Sequence, residues 1–264
     1  MSEAQVQRIC VDGLTCYQFE HLAARTDVTH GIFTRQGGVS VAPWASLNLS
    51  RSTGDSLEAV TENNRRLLNA LGLVQGQTVS AWLSHGCQVA LVGLQHSGTA
   101  LQETDAMVSA TPGLALSMRF ADCVPVLFHD ARRGVMAIAH AGWPGIVVGI
   151  LGATVRAMRD GFGSRPPDVW AGIGPAIRAE CYQFGPDLAQ RVAAACPAGA
   201  PILVPRPEGT LYLDLIAAVK SQLDAAGVEK IEDSGICTAC HTDEWFSHRR
   251  EKKTGRFGVV LGLR

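Results

Sequence analysis

The sequence predicts an α+β fold built on mixed β-sheets. Segments with strand character outnumber those with helical periodicity, and hairpins are interspersed with helical crossovers, so the strict β-α-β alternation of a doubly wound domain is missing. The chain has 264 residues, of which 47% are hydrophobic and 18% charged. That is enough for one large domain with a substantial core, and we expect residues 1–264 to form a single domain.

Apolar residues at helical spacing predict helices in four parts of the chain. The first covers about residues 57–71, and Asp55 or Ser56 can cap its start. The second begins directly after Trp143, with Pro144 in the first turn, where a missing N–H costs nothing. The others cover about residues 186–196 and 214–225, the latter ending at Gly227. Strands are predicted at 78–83, 89–92, 114–118, on both sides of a hairpin between 123 and 140, and at 169–173, 210–213, 230–237 and 257–261.

The overall charge and the cysteine content limit which binding partners and which cellular location we expect. A formal net charge of -1 provides no basic field, so we expect neither nucleic acid nor an anionic membrane as the main partner. The start has no export-signal pattern and no window is apolar enough for a membrane helix, so a cytoplasmic protein is expected. Eight cysteines in a reducing compartment predict free thiols, with Cys10, Cys16 and Cys196 as packing residues.

Cys123 and His140 occupy the two ends of the predicted hairpin. If the turn is centred near Arg132, the numbers of paired residues sum to about 264, which puts Cys123 beside His140 or Ala141. Side chains alternate along each strand, so the thiol and the imidazole can point the same way. Such a pair is either part of a metal site or a nucleophile and its base.

His85 is a third candidate ligand, because it stands where a short apolar run breaks at Gly86 before the next strand. With three protein ligands, a zinc ion keeps a fourth position for water, as in catalytic sites. Copper also accepts imidazole and thiolate. Blue-copper sites usually add an axial group such as Met, however, and multicopper oxidases need many more histidines than the eight present here. We therefore expect zinc rather than copper.

A series of ordered motifs runs along nearly the whole chain. They are Gly31–Ser40, Ser46–Leu49, Asp105–Val108 with Pro112–Leu114, Ala121–Val126, His140–Trp143, Gly172–Ala176 with Cys181–Tyr182, and Phe246–Arg250 with Thr254–Arg256. In these motifs the sequence resembles the laccase-domain proteins, also described as the purine nucleoside phosphorylase or polyphenol oxidase family. The resemblance implies a layered α/β/β/α sandwich related to the cytotoxic-necrotizing-factor catalytic domain. It also implies a zinc site made of His85, Cys123 and His140.

The resemblance implies an enzyme that phosphorolyses adenosine, inosine or 5'-methylthioadenosine to base and pentose 1-phosphate, with deamination of adenosine as a further activity. The general acid or base for that chemistry stays open between Asp122, Asp105 and the remaining histidines. The implied partners are a small nucleoside and phosphate, and the chain is expected to be a monomer or a small homo-oligomer.

Four residues are candidates for binding phosphate. Arg35 precedes the Gly37–Gly38 turn, whose backbone N–H groups could converge on an anion. Ser247, Arg249 and Arg250 lie in a motif of the same family, and arginine can bind phosphate through two parallel hydrogen bonds. Members of that family usually carry arginine where this chain has Pro144, and glutamine where it has Leu83. If the arginine normally holds phosphate, phosphorolysis is weaker here or is supported by another cation.

The sequence leaves two other classes of function open. In a metal-free hydrolase or amidase, Cys123 would attack, His140 would act as base and His85 would orient it; relatives have been connected with editing of peptidoglycan precursors. A copper-dependent polyphenol oxidase is the remaining enzymatic alternative. A non-catalytic protein stabilised by zinc is disfavoured, since structural zinc sites are normally closed by four ligands.

Cys237 and Cys240 form a C-x-x-C motif, which occurs in redox pairs and in zinc ribbons. A second such motif is absent from the sequence, and His241 is too close for ordinary finger spacing. No helical pattern follows the motif, as it would in a thioredoxin-like site. We therefore expect buried thiols near the site rather than a structural zinc or a redox centre.

Overall fold

Two β-sheets and their flanking helices make up the computed structural model, which describes residues 6–74, 76–197 and 200–264. The strands are β1 (Val6–Val11), β2 (Leu14–Phe19), β3 (Val28–Phe33), β4 (Thr78–Ala81), β5 (Val89–Leu91), β6 (Ala100–Leu101), β7 (Ala106–Ser109), β8 (Ala115–Phe120), β9 (Val124–Asp130), β10 (Val135–Ala141), β11 (Trp170–Ile173), β12 (Leu203–Pro205), β13 (Leu211–Leu213), β14 (Lys230–Asp233) and β15 (Phe257–Leu263). The α-helices are α1 (Glu20–Ala23), α2 (Leu57–Ala70), α3 (Trp143–Val147), α4 (Ile150–Phe162), α5 (Pro186–Ala194), α6 (Leu215–Ala225) and α7 (His248–Glu251).

Both large sheets contain parallel and antiparallel pairs. The seven-stranded sheet has the order β1-β2-β3-β15-β8-β4-β6 and the six-stranded sheet the order β14-β11-β9-β10-β7-β5, while β12 and β13 form a separate ribbon. In the first sheet β4 is parallel to β8 and β6, and in the second β5 is parallel to β7 and β14 to β11. The other pairs in the two sheets are antiparallel. The mixed-sheet α+β fold predicted from the sequence is confirmed.

Three apolar layers hold the elements together in the order α/β/β/α. Phe120 and Phe257 of the first sheet and Leu127 and Ile138 of the second belong to the buried layer between the sheets. On the outer face of the second sheet, helices α3 to α6 cover the strands, with α4 against β10 and β7. On the outer face of the first sheet, α2 contributes Leu67 to a smaller core. The layered sandwich implied by the resemblance is therefore confirmed.

The β9–β10 hairpin forms as predicted, but its register differs by one residue. His140 pairs with Pro125 and Val135 with Asp130, so paired numbers sum to 265 rather than 264. The expected pairing of Cys123 with His140 or Ala141 is therefore wrong: Cys123 lies just before β9 and would stand opposite Gly142. The cause is the turn, which occupies 131–134 and is closed by Gly134 at a φ of 62°.

Helix boundaries agree with the sequence except where a local backbone feature intervenes. Helix α2 starts after Ser56, whose side chain accepts a hydrogen bond from the N–H of Ala59, as predicted. The helix expected after Trp143 is divided into α3 and α4, because Gly149 adopts a left-handed conformation with φ 79°. Predicted strand 230–237 ends at Asp233, and Gly235 turns the chain with φ 72°.

All eight cysteines, which lie within the described ranges, are free thiols. Cys16 is buried, as predicted, and Cys196 is partly buried. Cys10 is exposed, and its prediction as a packing residue is wrong, because β1 is the edge strand of its sheet. Of the two thiols of the C-x-x-C motif, Cys237 is buried as predicted. Cys240 is exposed, so its prediction as a buried thiol is wrong. Across the ranges that the structure describes, no helix combines the length and apolar character needed to cross a bilayer.

Candidate metal centre

His85, Cys123 and His140 meet where β10 ends and β9 begins, beside the loop that follows β4. Their ligating atoms all lie within 4.8 Å of one another, so the set could hold a metal ion. His85 follows β4 on a loop and is exposed, Cys123 precedes β9 and is partly buried, and His140 lies in β10 and is buried. The three residues proposed from the sequence are thus brought together by three different segments.

Asp105 supports both histidines from a fully buried position at the start of β7. Its carboxylate accepts hydrogen bonds from the backbone N–H groups of His85 (2.9 Å) and Gly86 (2.8 Å), and from the Ser84 hydroxyl (2.6 Å). It also lies 2.9 Å from Nδ1 of His140. A carboxylate that holds Nδ1 leaves Nε2 as the ring nitrogen available to a metal, which is the usual arrangement around metal-binding histidines.

The backbone around the three ligands is unusual at several positions. His85 and Asp122 adopt positive φ angles of 61° and 84°, which few non-glycine residues do. Asp122 is held there by hydrogen bonds from the Thr238 hydroxyl (2.7 Å) and the Arg249 N–H (2.6 Å). At Gly142, a Cβ would lie 3.0 Å from the Cys123 sulfur and 3.1 Å from a ring carbon of His85. A Cβ at this position would press on both side chains, so glycine lets Cys123 and His85 converge without displacement.

The electrostatics of the site favour the thiolate form of Cys123. Burial alone raises the pKa of this thiol, but attraction to His140 and hydrogen bonds from His140 and His85 lower the pKa to about 6. Burial acts to lower the pKa of His140, but Cys123 and Asp105 raise it to about 9. Burial also acts to raise the pKa of Asp105, yet hydrogen bonds from His140, Ser84 and Gly86 hold it well below its ordinary value. Thiolate is the form of cysteine that binds metals and attacks electrophiles.

The donor set fits a zinc or copper ion better than a hard cation. Two imidazoles and one thiolate are soft or borderline ligands, which select zinc and copper over magnesium or calcium. Within the described residues, this ligand group contains three members. A tetrahedral ion bound by them would keep one position for a substrate or water, which is characteristic of catalytic rather than structural sites.

Two cavities open beside the three candidate ligands. The larger, of about 340 Å³, is lined by His85, Cys123 and His140 together with polar and aromatic groups that include Ser50, Ser52, Trp82, Arg119, Phe120, His248 and Arg256. The smaller, of about 200 Å³, is lined by His85, Ala121, Asp122, Cys123, Trp143, Pro144, Tyr182, His248 and Arg249. His85 and Cys123 line both cavities, and each cavity combines arginine with two aromatic rings.

Arg35 and Ser247, both predicted to bind phosphate, make internal contacts. The Arg35 guanidinium donates to the carbonyl groups of Ala45 and Thr242, pairs with the Glu251 carboxylate at 2.9 Å and stacks on Phe246. Ser247 is buried and its hydroxyl accepts a hydrogen bond from the Arg250 N–H. Through these contacts, the two residues stabilise α7 and the loop that precedes it. A direct contact with phosphate stays a prediction for both residues.

Arg249 and Arg250, the other two predicted phosphate ligands, point in different directions. Arg249 lines the smaller cavity, where its guanidinium stacks on Tyr182 at 4.7 Å and donates to the Gln183 carbonyl. Arg250 donates to the Ala239 carbonyl and to the Cys181 sulfur. Arg249 is therefore a cation in the same cavity as Pro144, where the resemblance implies an arginine.

Sequence reasoning missed two arginines that line the larger cavity. Arg119 is a polar residue within the apolar strand β8, and one of its nitrogens donates to the Ala81 carbonyl at 2.6 Å. Arg256 ends the Thr254–Arg256 motif and donates to the carbonyl groups of Thr254 and Gly255. A charged side chain interrupting an apolar strand was the available signal for Arg119, and membership of a family motif was the signal for Arg256.

These features and the fold place the chain in a defined family of proteins. Residues 29–264 match the family model described as multi-copper polyphenol oxidoreductase laccase, and the chain belongs to this family. The resemblance expected from the sequence motifs is thereby confirmed.

The relatives include named enzymes and solved structures. The chain is 40% identical over 235 residues to a purine nucleoside phosphorylase of Streptomyces coelicolor, covering 88% of this chain and 94% of that protein. It is 40% identical over 237 residues to a purine nucleoside phosphorylase of Deinococcus radiodurans, covering 89% of each. YlmD from Geobacillus stearothermophilus matches with a TM-score of 0.93, 31% identity and 99% coverage of both chains. YfiH from Bacillus licheniformis matches with a TM-score of 0.89, 32% identity and coverage of 96% and 97%.

Proposed function

We propose that this chain is a zinc-dependent purine nucleoside phosphorylase that acts on adenosine, inosine or 5'-methylthioadenosine. The observation that carries the proposal is the convergence of His85, Cys123 and His140 beside a cavity that also contains Arg119 and Arg256. The names of the relatives at 40% identity support the same activity. In the reaction, a phosphate oxygen bonds to C1' of the pentose, the bond from C1' to the purine nitrogen breaks, and the purine leaves with a proton.

In this mechanism Arg119 and Arg256 bind and orient phosphate in the larger cavity. Arginine pairs with phosphate through parallel, charge-assisted hydrogen bonds, and Ser50 and Ser52 add hydroxyl donors. Holding phosphate and nucleoside next to each other removes much of the entropic barrier to their reaction. Zinc held by His85, Cys123 and His140 would supply a Lewis acid that stabilises negative charge developing on the reactants.

The purine is assigned to the smaller cavity, against Trp143 and Tyr182. Planar bases stack on aromatic side chains, and each such contact contributes about 1–3 kcal/mol in nucleic-acid complexes. Arg249, held against Tyr182, provides a positive charge in this cavity, in place of the arginine that family members usually carry at the position of Pro144. Arg35, Ser247 and Arg250 support the wall of this cavity through the contacts described above. Deamination of adenosine at C6 is the further activity assigned to the same site.

A single product screen tests the proposal. Zinc-loaded protein is incubated with adenosine, inosine and 5'-methylthioadenosine, with and without inorganic phosphate, and the products are identified by mass spectrometry. Free purine and pentose 1-phosphate that form when phosphate is present are the expected result. Release of inosine from adenosine in both samples reports deamination. A zinc-loaded, folded protein that forms no pentose 1-phosphate from any of these nucleosides contradicts the proposal.

A second candidate, a metal-free cysteine hydrolase or amidase, is favoured by the opposite pKa shifts of Cys123 and His140. In that mechanism the Cys123 sulfur attacks a carbonyl carbon and His140 protonates the leaving amine. Metal analysis separates the two candidates. About one zinc ion at the His85, Cys123 and His140 site of the active protein supports the phosphorylase, whereas full activity after removal of metal and a trapped acyl-thiol support the hydrolase.

A further inference from the structure

We propose that Cys181, Cys237 and Cys240 form a second metal site, which binds a thiophilic divalent ion such as zinc. Their ligating sulfur atoms all lie within 4.8 Å of one another, with 3.2 Å between the sulfurs of Cys181 and Cys240. A tetrahedral zinc ion with Zn–S bonds of about 2.3 Å separates its sulfur ligands by about 3.8 Å. An ion is therefore accommodated by small movements of the three side chains.

The partner of the C-x-x-C motif is the distant Cys181 rather than a second C-x-x-C or His241. Ala176 and Cys237 pair as an isolated parallel bridge, which brings the loop that ends at Cys181 beside the motif. The Cys181 N–H donates to the Arg178 carbonyl and closes that loop as a turn. The C-x-x-C motif alone predicts no structural zinc. The third thiol, that of Cys181, lies beside the motif only in the tertiary structure, and it completes a set of three ligands.

Backbone hydrogen bonds already fix the turn that carries Cys237 and Cys240. The N–H groups of Cys240 and His241 both donate to the Cys237 carbonyl at 3.3 Å. The Thr238 N–H donates to the Ala176 carbonyl at 3.1 Å, next to the bridge between Ala176 and Cys237. The backbone of the motif is therefore held without help from an ion, as outer contacts hold ligands at other metal sites.

The charges around the cluster suit three thiolates and a divalent ion, which together carry one negative charge. The Arg250 guanidinium lies 3.4 Å from the Cys181 sulfur and compensates that charge. A carboxylate oxygen of Glu180 lies 3.8 Å from the Cys240 sulfur, close enough to supply a fourth ligand. Four ligands would close the site, which is the arrangement of structural zinc. Cys240 is exposed, so an ion can reach the cluster from solvent.

The role assigned to this second ion is to stabilise the wall of the smaller cavity. Tyr182 follows Cys181 directly and lines that cavity. Thr238, between the two cysteines of the motif, donates to Asp122, whose neighbour is Cys123. An ion held by the three thiols would therefore tie the Tyr182 loop to the segment that holds Asp122. This proposal concerns metal binding and does not depend on the reaction at the first site.

The test counts metal ions in a set of matched variants. Wild-type protein and the variants Cys123→Ser, Cys240→Ser and Cys10→Ser are purified under reducing conditions, loaded with zinc, freed of excess metal and analysed by mass spectrometry. Two zinc ions per chain are expected for wild type and for Cys10→Ser, in which an exposed thiol outside both clusters is replaced. One is expected for Cys123→Ser and one for Cys240→Ser. A protein that catalyses no phosphorolysis but binds both ions would give the same counts, so failure of the proposed function is distinguishable from failure of this proposal.

X-ray absorption of zinc-loaded Cys123→Ser tests the ligands without requiring that Cys240→Ser folds. About three sulfur neighbours at about 2.3 Å are expected around its remaining ion. A remaining ion with nitrogen and oxygen neighbours only, or a Cys123→Ser protein that retains no zinc while folded, overturns the proposal. So does a Cys181–Cys240 disulfide in the reduced, zinc-treated wild-type protein, since it would remove two of the three thiolates.

Discussion

Cys123 and Cys240 belong to two clusters of three residues, one with two histidines and one made of cysteines alone, and their thiols undergo opposite pKa shifts. The Cys123 thiol lies between two imidazoles, and they lower its pKa to about 6 against the effect of burial. Although the Cys240 residue is exposed, desolvation of its sulfur is the main cause that raises the pKa of this thiol, and hydrogen bonds with Cys181 and Cys237 raise it further. Neighbouring imidazoles thus outweigh the effect of burial on Cys123, whereas neighbouring thiols add to that effect on Cys240.

The two clusters also differ in how their ligands are held. His140 lies within a central strand, and the fully buried Asp105 holds both its ring and the backbone N–H of His85, so one carboxylate positions two of the three residues of the first site. The second cluster lies on two loops joined by an isolated bridge. A rigid site with three ligands suits a reaction, because the open position is kept in place. A cluster of thiols on loops suits an ion that fastens those loops together.

The largest effect is expected when the thiolate of the first cluster is removed. Cys123→Ser should lower kcat/KM for phosphorolysis by more than about 100-fold, since changes to groups that merely support metal ligands already cost 10- to 100-fold. Steady-state kinetics with inosine measure the effect, and Cys10→Ser serves as the control. A folded Cys123→Ser protein with wild-type turnover would show that the first cluster is not the catalytic site.

The next largest effect should come from the carboxylate that gives the first cluster its rigidity. Asp105→Asn keeps the size of the side chain but loses an acceptor for the N–H groups of His85 and Gly86, so zinc affinity should fall about 10- to 100-fold. Competition with a zinc chelator measures the affinity of this site. Asp130→Asn replaces another fully buried carboxylate, at the far end of the β9–β10 hairpin, and should leave the affinity unchanged.

Substitution of Arg119 tests whether the arginines of the larger cavity bind phosphate beside the first cluster. Arg119→Gln should raise the KM for phosphate by about tenfold or more, because hydrogen bonds to charged groups contribute about 1.5–3 kcal/mol. The KM for nucleoside and the zinc content should change little. The control is Arg132→Gln, at an exposed arginine in the β9–β10 turn. Equal KM values for phosphate in Arg119→Gln and wild type would remove Arg119 from the proposed site.

The smallest effect concerns histidines whose surroundings contrast with those of His140. Burial is the main cause that lowers the pKa of His30 to about 3 and of His129 to about 4. The unfolded chain binds protons at these histidines below about pH 6.5, while the folded chain does not until lower pH. Stability is therefore full above about pH 6.5 and should fall as the pH drops toward 4, by about 1.4 kcal/mol per pH unit for each histidine.

Urea unfolding between pH 7 and pH 5 measures this loss of stability. His129→Phe should reduce the slope of the unfolding free energy against pH by nearly one proton, or about 1.4 kcal/mol per pH unit, at the acidic end of this range, where the unfolded imidazole is mostly protonated. The ring is similar in size, and within the described residues neither ring nitrogen of His129 has a hydrogen-bond partner. An unchanged slope in this variant would mean that the His129 environment does not exclude the charged form.

Local patterns in the sequence predicted the parts of the fold and site that depend on neighbouring residues. Helix α2 and its Ser56 cap follow from apolar spacing, and the hairpin follows from two apolar runs around a turn. The register differs from the prediction by one residue, and the observed pairing of His140 with Pro125 places these two side chains on one face of the hairpin. Cys123 lies two residues before Pro125 and belongs to the same face by the period of two, whereas a one-residue slip would have moved His140 to the opposite face. The three candidate metal ligands were proposed because two of them flank that hairpin and the third, His85, stands at a break before Gly86 and is implied by the family resemblance.

Short-range rules in the amino-acid sequence therefore specified the α+β character, most helices and the Cys123 and His140 pair, and the family resemblance added His85 as the third candidate ligand. Tertiary structure decided that Cys181 joins Cys237 and Cys240, that Arg119 and Arg256 line the larger cavity, and that Arg35 is held by internal partners. The physical reason is that periodicity determines which face of a helix or strand a side chain occupies. It carries no information on which distant loops pack together, and that packing determines the neighbours, charge and exposure of each group.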